Sequence, residues 1–274
     1  MKWYAKTYIS VMMAFFYLPI VVLIAYSFNQ SKSRAYFTGF TLDWYKKLFT
    51  NEMIMGSLWN SLVIALVSSA IACIIGTAAA IGLSNMRRVP RMLVLNFTYL
   101  PIINPEIVTG VSMMLLFVFF KSKMNIPLEF GFPTLILAHI TFNIPYVILN
   151  VMPKLRQMDP SIYEAALDLG CNDWQAFSKV VVPDIMPGIV AGFLTSLTMS
   201  LDDFIISYFV SGATSQTLPI TIFSMTRRKV SPEVNALSTI IFIIVLTVLL
   251  LVNLHDSRAE KKMRRLKTGG GSIA

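Results

Sequence analysis

Long apolar runs separated by short polar intervals set the first expectation for this chain. Stretches near the roughly 20 residues needed to cross about 30 Å of hydrocarbon occur near 8–28, 60–83, 93–119, 133–152, 188–210 and 236–254. They predict an all-α membrane protein with six transmembrane helices. The first run has too long an apolar core for a signal peptide and no small-residue cleavage site before Asn29, so it is expected to stay as the first helix. Between the fourth and fifth runs, residues 153–187 break the pattern with soluble-looking helical sequence.

That interval carries its own punctuation. Asp159-Pro160-Ser161 followed by Glu164 predicts a capping box between Ser161 and Glu164, and Gly170 predicts the helix end, because glycine tolerates the left-handed conformation there. Asn172-Asp173-Trp174-Gln175 predicts a second capped helix, running until Pro183 and Pro187 interrupt it. The expected product is helix, sharp turn, helix. An amphipathic hairpin lying on a lipid surface is the other reading of the same pattern.

Composition turns the runs into a membrane assignment. With 55% hydrophobic and only 14% charged residues, the chain cannot cover a soluble surface, which needs roughly a quarter charged. The net charge of +9 would suit nucleic acid in a soluble protein, but here the cations sit beside apolar runs, so a bilayer is expected and nucleic acid is not. If both termini are cytoplasmic, 14 of the 23 Lys and Arg fall on that side, concentrated in Arg87-Arg88-Val89-Pro90-Arg91 and the tail. This orientation places 153–187 in the cytoplasm and 29–57 and 211–231 outside. Residues 1–257 read as one membrane domain and 258–274 as a basic cytoplasmic tail. Ser231-Pro232-Glu233 predicts the start of the sixth helix. Gly269-Gly270-Gly271-Ser272 has flexible-linker composition. Cys73 and Cys171 fit neither a disulfide framework nor a metal cluster and read as small packing residues.

Three carboxylates interrupt the apolar spans: Glu106 in the third, and Asp202 and Asp203 in the fifth. At roughly 2.5–3.5 kcal/mol each on insertion scales they must face a hydrated cavity or a partner. Each lies about 15 residues into its span, which at 1.5 Å per residue of straight helix places one acidic layer about 22 Å along. Adjacent helical residues point about 100° apart. Asp203 shares a stripe with Ser196, Ser200, Ser207 and Ser211, so Asp203 is expected to face a pathway and Asp202 its margin. The same stripe also suits close helix packing, as does Gly188-x-x-x-Gly192. Pro101 to Glu106 predicts a broken helix, with Asn104 as cap and Pro105 at the first position; Glu106 then either lines a site or complements its own helix dipole. His139, with Thr141, Asn143 and Pro145, stands where it can line the same cavity or serve as a satisfied packing residue. No catalytic residues and no metal site are expected.

Glu164-Ala165-Ala166, then Gly170, then Val180-Val181-Val182-Pro183 resembles the signature of binding-protein-dependent ABC importer permeases. Tyr17-Leu18-Pro19-Ile20, Ser27-Phe28-Asn29, Gly39-Phe40-Thr41 with Trp44-Tyr45, His139-Ile140-Thr141-Phe142, Ser200-Leu201-Asp202-Asp203 and Ser231 to Ala236 extend the resemblance over nearly the whole chain, toward the polyamine branch of that family. Departures are Val180 and Val182 where Ile and Leu are commoner, and Glu106 where relatives carry Asp. The resemblance implies a type I importer permease fold in a bacterial inner membrane, with Glu164, Ala165, Ala166 and Gly170 coupling to an ATPase. It implies a homologous second permease subunit, two ATP-binding subunits and an extracytoplasmic polyamine-binding protein, with spermidine or putrescine as cargo. The chain has no Gly-x-x-x-x-Gly-Lys-Ser/Thr run, so ATP and Mg are expected on the partner and no cofactor here. Another cationic cargo, such as ferric iron or a small amine, is the alternative.

Overall fold

The computed structural model describes residues 3–31, 36–228, 232–244 and 246–247. These fall into two compact units, one comprising the chain up to Glu52 together with that from Ser224 onward, the other Met53–Phe223. Four helices among the described residues are long and apolar enough to cross a membrane: α1 (Trp3–Ser27), α3 (Glu52–Ser84), α6 (Phe132–Gln157) and the run Asp173–Asp202. A fifth is a bent pair, α4 (Arg88–Ile103) and α5 (Glu106–Lys123), whose axes differ by 104°. Of the sixth expected run, 236–254, residues 236–244 belong to a helix, Pro232–Ile244, residues 246–247 are helical too, and the rest lies outside the described residues. Ser231 and the tail 258–274 lie outside the described residues.

In the first unit, the expected loop 29–57 contains a helix, α2 (Asp43–Thr50), that spacing Trp44 and Leu48 one turn apart builds by burying both. Asn29 organises the approach to it. Its side-chain amide donates to the Tyr36 carbonyl, its Oδ1 accepts the Thr38 N–H, and its own carbonyl receives the Trp44 indole N–H at 2.7 Å.

In the second unit, α3 and α6 each read apolar, polar, apolar along their length, and the cores follow that order. Ile64, Phe117, Leu135, Ala138, Ile206 and Val210 form one apolar cluster, and Cys73, Ala80, Leu83, Val147, Val151 and Ile185 belong to another. Between the two in sequence lie buried Ser68, His139 and Ser200. The helix ending in Asp202 packs along α6 through glycines. A Cβ on Gly192 would lie 3.2 Å from the Val147 Cα, and one on Gly188 would lie 2.9 Å from the Asn150 carbonyl oxygen. A backbone carbonyl cannot swing aside, so Gly188→Ala should destabilise the protein by about 1–3 kcal/mol, read as a lower thermal midpoint in detergent. An unchanged midpoint would mean that the helices do not pack here.

Three local expectations are corrected. Asp159, not Ser161, caps α7 (Pro160–Asp168): its carboxylate accepts the Ser161 N–H at 3.0 Å, because Pro160 at the first helical position makes the residue before it the cap. Asn104 terminates α4 and Pro105 occupies the cap position of α5, one residue away from the expected assignment. Pro183 and Pro187 do not interrupt the helix that begins with α8 (Asp173–Ala176). A π turn at Phe177–Val181 leads into α9 (Val182–Asp202), widening the ladder just before Pro183, which has no N–H to give.

Candidate functional site

The fifth expected span, 188–210, is not one helix. It ends at Asp202, turns through Asp203 and Phe204, and resumes as α10 (Ile205–Val210). Asp203 makes the turn possible. Its Oδ1 accepts the Ile206 N–H at 3.2 Å, and its Oδ2 accepts the Ser207 N–H and hydroxyl, both at 2.7 Å, which satisfies amides that the restarted helix would otherwise orphan. A carboxylate has about four acceptor positions, and three are thereby used. The serine stripe expected on a continuous helix is consequently split, with Ser196 and Ser200 on α9 and Ser207 on α10.

Beside this break is a cavity of about 280 Å³ lined by Glu106, Asp202 and Asp203, with Phe142 and Tyr146 from α6 and Thr109 from α5. The bend between α4 and α5 does not let a straight-helix rise run from Arg91 to Glu106, so the depth expected from residue counting does not carry over. The three acids nevertheless meet at one cavity. Asp203 is 8% exposed and fixed by its hydrogen bonds, whereas Glu106 and Asp202 are exposed and their side chains make no hydrogen bond or ion pair among the described residues. Glu106 is also the first residue of α5, where it complements the helix dipole. His139 is fully buried, between Ser200 and Ser207, and does not line the cavity. The sequence reading missed Phe142 and Tyr146. Their spacing from each other, four residues along α6, is the face signal that would have paired them.

The second candidate surface is the segment from Asp159 to Val182. Gly170 has φ +87°; its N–H bonds the Leu167 carbonyl at 2.9 Å, and the Cys171 N–H bonds the Ala166 carbonyl at 3.1 Å, the paired bonds of a Schellman stop. Asn172 and Gln175 form the expected reciprocal cap, with the Gln175 N–H on Asn172 Oδ1 at 2.8 Å and the Asn172 N–H on Gln175 Oε1 at 3.2 Å. On α7 Ala166 is buried while Glu164 and Ala165 are exposed, as are Leu169, at 87%, and Trp174, at 72%. The Ser161 N–H holds the Asp159 carboxyl below its usual range. Partial desolvation, then the Asp173 carboxylate that its hydroxyl contacts at 3.3 Å, raise the Tyr163 hydroxyl.

Residues 70–265 match the family model for the binding-protein-dependent transport system inner membrane component. The chain is 36% identical over 249 residues to the spermidine/putrescine transport system permease protein PotC of Haemophilus influenzae, covering 91% of this chain and 95% of that one. It is 38% identical over 252 residues to the putrescine transport system permease protein PotI of Escherichia coli K12, covering 92% and 90%. A chain of a bacterial alginate ABC transporter, solved in complex with a periplasmic protein bound to an alginate pentasaccharide, superposes with a TM-score of 0.70 at 18% identity over 94% of both chains. A chain of an amino acid ABC transporter solved with histidines does so with a TM-score of 0.52 at 20% identity, over 80% of this chain and 99% of the other. These likenesses speak for the fold alone. The family match and the relatives spanning nine-tenths of the sequence lead to one conclusion: the chain belongs to the binding-protein-dependent transport system inner membrane components, the membrane-embedded permease subunits of ABC importers.

Proposed function

We propose that this chain is a permease subunit of an ATP-driven polyamine importer, moving spermidine, putrescine or both by alternating access and forming half of the pathway. The observation that carries the reading is the cavity of about 280 Å³ with Glu106, Asp202 and Asp203 on its wall, in a chain whose relatives bear polyamine-permease names. Polyamines are flexible polycations. A partly hydrated acidic cavity offers them ion pairs and repels anions.

In this reading the chain spans the inner membrane six times over residues 1–257, with both termini and the basic tail cytoplasmic. Residues 153–187 form the cytoplasmic coupling loop, with Glu164, Ala165, Ala166 and Gly170 on the helix that meets the ATPase. A homologous second permease supplies the other half of the pathway, an ATP-binding dimer holds ATP and Mg, and an extracytoplasmic binding protein delivers the cargo.

The test is ATP-dependent spermidine uptake into vesicles carrying all four components. Asp203→Asn removes the charge fixed at the cavity wall and should lower uptake about tenfold or more. Unchanged uptake would remove Asp203 from the pathway. Vesicles that take up ferric iron and ignore spermidine and putrescine would replace the polyamine assignment with the other cationic cargo.

A further inference from the structure

A chain of buried polar side chains joins the cavity to the helix seam behind it. His139 on α6 places Nδ1 2.6 Å from the Ser200 hydroxyl on α9 and Nε2 3.0 Å from the Ser207 hydroxyl on α10. Ser207 donates to Asp203 Oδ2, which lies 3.6 Å from His139 Nε2. At the far end Ser68 on α3 reaches the Ser200 hydroxyl at 3.3 Å. One imidazole therefore ties α6 to the helices on both sides of the break at Asp203 and Phe204.

Counting hydrogens gives the chain a direction. A hydroxyl has one proton, and that of Ser207 is given to Asp203, so its oxygen can only accept from the ring. Nε2 must then carry a proton. In a neutral imidazole Nδ1 is left as an acceptor, so Ser200 donates to it, while the Ser68 hydroxyl beyond stands between the Ser200 oxygen at 3.3 Å and the Ala65 carbonyl at 3.4 Å. Every bond in the series Ser200, His139, Ser207, Asp203 points toward the carboxylate. Aligned bonds polarise one another, so removing a middle member weakens those on either side.

We infer that His139 is a positioning residue for transport: acting through Ser207, it holds α10 against α6 so that the turn at Asp203 keeps its carboxylate on the cavity wall. α10 has only six residues and cannot hold its own place by helix propagation. Two buried bonds from α6 tie this short helix down: the Thr134 hydroxyl donates to the Val210 carbonyl at 2.8 Å at its end, and the His139 ring reaches Ser207 beside the turn. The inference rests on Asp203 being a pathway acid, and it adds that a cation drawing on Asp203 also draws on the seam between α6 and the fifth span.

The test compares His139→Leu, His139→Gln, Ser207→Ala, Asp203→Asn and the double variant His139→Leu/Asp203→Asn in four-component vesicles, with co-purification of the ATPase as the measure of assembly. His139→Leu and Ser207→Ala should each lower spermidine uptake about tenfold, since each leaves a buried polar partner unpaired. Glutamine presents an amide donor and acceptor near the positions of the ring nitrogens, so His139→Gln should stay within about threefold of the parent. Because His139 acts through Asp203, the double variant should be no slower than Asp203→Asn alone, within about twofold.

A double variant slowed by the product of the two single effects overturns the inference, as does Ser207→Ala transport equal to the parent while Asp203→Asn is impaired. His139→Leu that fails to assemble, with Ser207→Ala behaving as the parent, overturns it also, since the ring is then only a packing residue. Parent-like uptake by Asp203→Asn is the distinct result that removes the pathway reading beneath it.

Discussion

Asp202→Lys should lower ATP-dependent polyamine uptake about a hundredfold while leaving the four-component complex assembled. Replacing the carboxylate with an ammonium changes the local charge by two units beside a cavity that Glu106 and Asp203 also line. At about 5 Å and an effective dielectric of 20, each unit interacts with a passing cation by about 3 kcal/mol, a swing of about 6 kcal/mol. Asp202 is exposed, so solvent screening reduces this to about 3 kcal/mol, which corresponds to about a hundredfold. The side chain makes no hydrogen bond or ion pair among the described residues, so folding should be spared. Asp202→Asn, a change of one unit, should lie between parent and lysine variant at about tenfold. Uptake rates normalised to assembled complex decide it, and an Asp202→Lys complex that transports at the parent rate would place the cation route elsewhere.

What the sequence made legible about this fold and site was local. The Asn172–Gln175 cap and the Gly170 stop were readable because each is a short-range bond pattern written in consecutive residues. The Ser161–Glu164 box was not, since Asp159 before Pro160 competes for the Ser161 amide and wins. Proline signals at 101 and 105 marked where the third run breaks but not the 104° bend, because packing of neighbouring helices sets an angle and no local residue encodes it. The interruption at Asp203 had no glycine or proline to announce it. It is made by Asp203 capping α10 and by His139, more than 60 residues earlier, bonding both sides of the gap. The acids were legible as residues too polar for a span, whereas their meeting at one cavity depends on those two breaks.

Gly170→Val should lower spermidine uptake and transport-coupled ATP hydrolysis about tenfold or more, with Gly170→Asn much closer to the parent. A Cβ at this position meets no atom within 4 Å, so space does not limit it. The backbone does. At φ +87° a β-branched residue incurs strain of order 1–3 kcal/mol, whereas asparagine enters this region far more readily. α7 has few means to absorb that strain, being nine residues long and anchored by the Asp159 cap, buried Ala166 and the two bonds of the Gly170 stop. Losing the stop would disorder the turn joining α7 to α8 and with it the surface where Glu164, Ala165, Leu169 and Trp174 stand exposed. Glu164→Lys reverses charge on that surface without touching the backbone, so it should weaken ATPase co-purification while leaving the thermal midpoint of the isolated chain unchanged. The pair separates shape from charge: a valine variant that couples normally would deny that the turn transmits motion, and a lysine variant that retains its ATPase would deny that this face is where the ATPase binds.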